Sequence, residues 1–188
     1  MKSLSLAALL LCSQAALADW QLDQSASSLS FLSTKNNLVT ETHHFTAFSG
    51  TLADDGSLKI NIELNSVETN IPIRNERMRE HMFKLFPNAT LTAQVPKTVM
   101  ELDVGESTAL EIKGQLELNT KSQILPIPLQ ITRLANEQLL ATTTQPILLN
   151  TVQFGLTDGV KKLQELAGLA SIDQTVPVTF NVIFSSAN

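Results

Sequence analysis

The residues in this chain with the makings of chemistry are three histidines, His43, His44 and His81, and a carboxylate pair, Glu76 and Glu80. His43 and His44 are adjacent. Neighbouring side chains on a strand point to opposite faces, so the two cannot hold one metal without a bulge. No His-x-His or His-x-x-x-His spacing supplies a second ligand. The pair therefore reads as one surface and one core histidine, with no metal site. Glu76 and Glu80 lie four apart beside His81 and could perform acid–base work. Set among Arg74, Arg77 and Arg79, they equally form the solvated face of a short helix. No Gly-x-Ser-x-Gly elbow, P-loop or Gly-x-Gly-x-x-Gly occurs, so the common hydrolase and nucleotide signatures are missing.

The elements that would position these residues are mostly strands. Leu58, Ile60, Ile62 and Leu64 alternate with polar residues, as do Leu110, Ile112, Gly114, Leu116 and Leu118. Ile127, Leu129 and Ile131 follow, then Val176, Val178, Phe180, Val182 and Phe184. One apolar and one wet face per strand is the pattern of antiparallel sheet. Weaker strands are expected at 20–22, 29–33, 39–48, 90–95, 139–144 and 147–150. Turn signals separate the strands at Asp54-Asp55-Gly56, Asp103-Val104-Gly105 and Asn136-Glu137. So many strands in one domain need an edge solution, and closure into a barrel is the simplest. Two segments carry helical spacing instead. Arg74–Phe86 presents Met78, Met82, Phe83 and Phe86 and ends at Pro87; Gly159–Ala170 presents Leu163, Leu166 and Ala167, with Asp158 as N-cap.

The N-terminus bears on the compartment. Lys2, the apolar run Leu4–Leu11 and Ala16-Leu17-Ala18 ahead of Asp19 have the three parts of an export signal, with cleavage after Ala18. Cys12 would leave with that segment, and Leu11 before it is not the small residue lipoprotein processing needs. The mature chain, residues 19–188, would hold no disulfide, thiolate nucleophile or thiolate metal site. It would carry 12 basic residues against 18 acidic ones, a net charge of −6. That balance, without a basic cluster, disfavours nucleic acid and anionic headgroups as partners. Eight Phe, one Trp and no Tyr suit a greasy interior better than a sugar- or base-stacking platform.

Several segments in order resemble one family. Trp20-Gln21-Leu22-Asp23 with Ser27-Ser28-Leu29-Ser30-Phe31 is similar to the opening of the YceI-like proteins, and Phe45-Thr46-Ala47-Phe48-Ser49-Gly50 to their Phe-x-x-Phe-x-Gly strand. The segment from Ser66-Val67-Glu68-Thr69-Asn70 through Arg74-Asn75-Glu76-Arg77-Met78-Arg79 to Met82-Phe83 resembles that family's longest signature. Gly114-x-Leu116-x-Leu118, Leu149-Asn150 and Phe154-Gly155-Leu156 match its later strands. The departures are Asn70 for a usual Gly, Asn75 for Asp, Arg77 for His, and Thr151 and Gln153 for Arg and Asp.

The resemblance implies a mainly β fold, a single antiparallel lipocalin-like barrel of about eight strands with two short helices. It implies a periplasmic protein that binds or transports a long isoprenoid lipid, such as an isoprenoid quinone or polyprenyl chain, in the barrel interior. No cofactor beyond that ligand is required, and transient contact with envelope membranes or membrane proteins follows. The expected lining is Phe31, Phe45, Phe48, Ile60, Ile62, Ile71, Met78, Met82, Phe83, Leu116, Leu118, Ile127, Leu129, Phe154 and Phe180, with the 74–86 helix shaping one end. Two other readings stay open: a lipid-modifying enzyme using His44, His81 or Glu80, and a ligand-free stress-response or interaction protein whose barrel is plugged.

Overall fold

The alternating rows fold as antiparallel strands, and the first pairs with the last. The computed structural model describes residues 20–186; the export signal expected over 1–18 lies outside them. The strands are β1 (Trp20–Lys35), β2 (Val39–Phe45), β3 (Phe48–Leu52), β4 (Ser57–Glu63), β5 (Val67–Glu68), β6 (Asn88–Gln94), β7 (Ser107–Leu118), β8 (Lys121–Leu134), β9 (Gln138–Thr143), β10 (Ile147–Asn150) and β11 (Thr175–Ser186). Two helices, α1 (Pro72–Met78) and α2 (Thr157–Ala167), complete the fold. The circuit β1-β3-β4-β6-β7-β8-β9-β11 returns to β1, giving a closed barrel of eight antiparallel strands. Full closure removes the edges at which chains would otherwise pair and aggregate.

The three strands outside the circuit lie toward one end of the molecule. β2 pairs with the later half of β1, β5 with β2, and β10 with the first residues of β11. β5 and β10 are the two ends of this sheet, and α1 follows one and α2 the other. The two helices meet there, with Arg77 Nη1 donating to the Leu166 carbonyl at 3.1 Å. A Cβ at Gly159 would stand 2.8 Å from the His81 carbonyl oxygen, so only glycine lets α2 approach this closely. The opposite end is sealed by a 3-10 turn, Lys97–Val99, whose Val99 is buried against Val95, Met100 and Leu102 in the lower core.

Several boundaries differ from the sequence expectation. The strands expected at 20–22 and 29–33 are one strand. Its register against β11 shifts between Asp23 and Ser28, and the extra residues form a bulge. Asp23 Oδ1 accepts from Ser25 N at 2.9 Å, and Ser27 Oγ accepts from Ile183 N at 2.9 Å, so local polar groups satisfy the interrupted ladder. The single strand expected over 39–48 breaks at Thr46-Ala47. Both amides donate to Ser66 Oγ, at 3.1 and 3.0 Å. The helix expected over 74–86 is α1 followed by a π-helical turn, Arg79–Phe83. Pro72 starts it, since a helix's first turn needs no N–H there. Pro87 biases Phe86 toward extended backbone, which stops it early. The second helix starts and ends earlier than expected. Leu156 stands at its N-cap with no side-chain cap, Asp158 lies in its first turn, and Gly168 at φ 63° ends it.

Candidate ligand-binding cavity

The inward rows enclose empty space. Three chambers lie in series from the sealed end to the helix end. The sealed chamber, about 790 Å³ of unfilled space, is lined only by apolar side chains, among them Phe48, Leu58, Ile60, Val99, Ile112, Leu129 and Phe184. The middle chamber, about 1010 Å³, is apolar except for Thr151. The mouth chamber, about 1170 Å³, lies between α1, α2 and the ends of β1, β2 and β11. Each volume includes space continuous with solvent. Neighbouring chambers share walls. Leu29, Ile62, Leu91, Ile127 and Phe180 border both dry chambers, and Phe31, Met78, Met82, Thr151 and Val176 border both the middle and the mouth. β7 alone runs 12 residues, about 40 Å of strand and about 30 Å along a tilted barrel axis.

All the residues expected to line the interior border one of these chambers. Phe48, Ile60 and Leu129 face the sealed chamber, with Ile62, Ile127 and Phe180 at its junction with the middle one. Phe45, Phe83, Leu116, Leu118 and Phe154 face the middle, with Phe31, Met78 and Met82 at its junction with the mouth. Ile71 lines the mouth and is 41% exposed. The π-helical turn aims Phe83 inward, 6.3 Å from Phe45 between ring centroids. Gly114 sits in the inward row of β7, where a Cβ would stand 2.5 Å from Ile127 Cδ1 and 2.8 Å from Leu91 Cδ1. Its missing side chain makes room for two residues at the waist between the dry chambers.

The polar lining of the mouth was not anticipated. Glu41 and His43 share the inward parity of Phe45, and opposite them on β1 stand Ser33 and Phe31. Glu41 Oε2 accepts from Lys35 Nζ at 2.7 Å and from Arg74 Nη1 at 2.8 Å. The Lys35 hydrogen bond, helped by Arg74 and opposed by partial burial, holds the Glu41 carboxyl down at about 2. His43 is buried and packs edge-on to Phe31 at 5.3 Å. Burial, then the Arg74 cation, push its pKa down despite the pull of Glu41, so the imidazole is neutral at pH 7. The adjacent His44 lies on the other face of the strand. Glu76 and Glu80 are exposed, and among the described residues no group of three or more His, Cys, Asp or Glu side chains could hold a metal.

Three of the departures have structural explanations. Asn70 has φ 60°, a left-handed conformation that Asn tolerates nearly as Gly does. Asn75 is buried. Its Oδ1 accepts from Thr69 N at 2.9 Å while its Nδ2 donates to Glu68 Oε1 at 3.0 Å, a donation an aspartate could not make. Arg77 ties α1 to α2. Thr151 donates to Gln174 and stands in the wall between middle and mouth, and Gln153 is exposed.

The closed barrel and its apolar chambers define a lipocalin-like fold with an internal hydrophobic cavity. Residues 20–184 match the YceI-like domain, and the chain belongs to that family. It is similar to a polyisoprenoid binding domain from Saccharophagus degradans implicated in plant cell wall breakdown, at 33% identity and TM-score 0.87, over 90% of this chain and 99% of that one. It shares its fold with BcnA of Burkholderia cenocepacia, at 18% identity and TM-score 0.66, over 86% of this chain and 98% of that one. The YCEI protein of Campylobacter jejuni shares it too, at 12% identity and TM-score 0.53, over 78% and 84%. No curated protein matches the chain.

Proposed function

We propose that this protein binds one long isoprenoid lipid along the barrel axis, tail toward Val99 and head at the helix mouth, and carries it through the periplasm. The observation that carries this reading is the series of apolar chambers with shared walls. The 33% identical relative, a polyisoprenoid binding domain, supports the same ligand class. Burying hydrocarbon contributes about 0.8 kcal/mol per methylene, or about 3–4 kcal/mol gross for a five-carbon unit. A few units exceed the roughly 4–15 kcal/mol that association costs. A long dry slot therefore suffices, with no charge pairing along the tail.

The mouth suits exchange with a membrane. Ile73, 51% exposed, and Ile71 stand on its helical rim, and Leu38, 84% exposed, tips the neighbouring hairpin between β1 and β2. Binding is favoured over lipid-modifying chemistry because none of His44, His81 and Glu80, the residues such chemistry would use, borders any of the three chambers. The test is organic extraction and mass spectrometry of protein purified from its native envelope. About one prenyl lipid per chain is expected; recovery of protein with no lipid, or only bulk phospholipid, would overturn the reading.

A further inference from the structure

The eight-strand circuit is not hydrogen-bonded along its whole height. β8 pairs with β9 only from Leu129–Thr143 to Leu134–Gln138, with one further bond from Thr144 N to the Pro128 carbonyl at 3.0 Å. The chain then leaves β8 and resumes beside β11 as β10. β10 pairs with β11 alone, so no strand is paired with the first half of β8 on that side. Among the described residues no hydrogen bond joins 121–127 to 145–152. The gap is a seam in the wall of the middle chamber, which Leu125 lines from one side and Ile147 and Leu149 from the other. Outside, apolar side chains flank it: Ile124 is 70% exposed, Leu148 63% and Val152 54%. The Asn119 side chain clasps its upper end. Asn119 Nδ2, in the turn between β7 and β8, donates to the carbonyls of Phe154, at 2.9 Å, and Gly155, at 3.3 Å.

We propose that this seam is a lateral portal: the lipid tail enters and leaves the middle chamber between β8 and β10, and Asn119 is the latch. This rests on the carrier reading above and adds the route. Neighbouring strands are ordinarily joined by a ladder of hydrogen bonds that has to break before they part. Here Leu125, Ile147 and Leu149 make the closure, and side chains swing aside without breaking a ladder. The Pro128 bond shows that the even-numbered residues of β8 turn their backbone toward the seam. Two of them, Pro126 and Pro128, have no N–H, so a passing tail meets fewer unpaired donors than at an ordinary strand edge. The same prolines deny an added strand its hydrogen bonds, which argues against a second chain as the occupant. End-on entry at the mouth would instead drag bare hydrocarbon past Lys35, Glu41 and Arg74 and strip water from their ion pairs. With the portal, the head stays at the mouth while the tail swings in from the side.

The test follows geranylgeraniol as it moves between phosphatidylcholine vesicles and the lipid-free full chain carrying Cys12→Ser, Pro126→Cys and Leu148→Cys. Following the registers through β9 and β11 sets positions 126 and 148 level across the seam, and neither residue lines a chamber. A short bis-methanethiosulfonate reagent ties the two strands, and its one-armed counterpart is the control. Tying should slow both uptake and release at least about tenfold. The equilibrium constant should stay within about twofold, because both directions use one route. Asn119→Gly keeps a residue suited to φ 48° but removes the latch, and it should speed both directions about threefold, as loss of one hydrogen bond allows. Unchanged rates in the tied protein would show that the tail threads through the mouth and would overturn the portal alone. So would a tied protein that loses as much affinity as speed, since that is damage to the cavity. No uptake by any form, tied or free, would overturn the carrier reading with it. If the strands do not cross-link, the Asn119→Gly rates decide, and unchanged rates there would overturn the portal.

Discussion

The sealed end and the helix mouth of this barrel are built on opposite principles. At the sealed end the β1, β3, β4, β7, β8 and β11 walls supply Leu29, Phe48, Ile60, Ile112, Leu129 and Phe184, and no polar side chain borders the chamber. At the mouth the same strand parity delivers Ser33, Lys35, Glu41 and His43, and the helices add Arg74 and Arg77. One barrel therefore grades from dry to charged along single strands. On the carrier reading proposed above, the difference means that a tail would be held by exclusion of water, which is indifferent to its chemical detail, and that selectivity would reside at the polar mouth.

A charge should be fatal at one end and cheap at the other. Ile127→Asp puts a carboxylate at the junction of the two dry chambers, where Ile127 is 1% exposed. Lost burial and an unpaired charge together should cost at least about 4 kcal/mol in urea unfolding and abolish lipid retention. A retained ligand with near-normal stability would mean that the waist is wet.

Overfilling the same waist should have a smaller effect. Gly114→Val places methyl groups against Ile127 and Leu91. It should destabilise by about 1–3 kcal/mol and shift retention toward shorter chains in competition between prenyl lipids. An unchanged chain-length profile would detach the sealed chamber from ligand binding.

Acid should affect the mouth in two stages. His43 has a folded pKa below its ordinary value of 6.5, so the folded state binds fewer protons and stability falls as pH drops below that value. Glu41 is held at about 2 against 4.5 unfolded. Its contribution is complete above 4.5 and is lost as pH falls toward 2, by about 1 kcal/mol after allowing for solvent screening. Glu41→Gln should remove the lower stage and His43→Phe the upper one in pH-dependent unfolding.

The smallest effect concerns the strap below the mouth. Asn75→Asp sets a carboxylate against Glu68 in place of an amide that donates to it. It should lower Tm by about 2–4 °C at pH 7, and by less once the acids are protonated. An unchanged Tm would show that the pair is dispensable.

The rows from Leu58, Leu110, Ile127 and Val176 were legible because one face of each strand is buried and a slip of one residue would expose all of it. That parity is why the expected lining residues border the chambers. The bulge at 24–27 was not legible, since the Asp23 and Ser27 side chains satisfy the backbone in a way no periodicity records. The break at Thr46-Ala47 depends on Ser66, about twenty residues away. The polar mouth was missed because Glu41 meets Arg74 across 33 positions with no motif between them. A signal was present all the same: Glu41 and His43 share the parity of Phe45, so a strand that turns Phe45 inward must turn them inward too.

The central claim is that a prenyl tail lies along the chambers down to Val99. Equilibrium binding of an all-trans prenyl series that differs only in chain length tests it most directly. Affinity should climb steeply with each added unit and then level off once the tail reaches the 97–99 seal. Affinity that does not depend on chain length, or that is highest for the shortest member, would contradict the account.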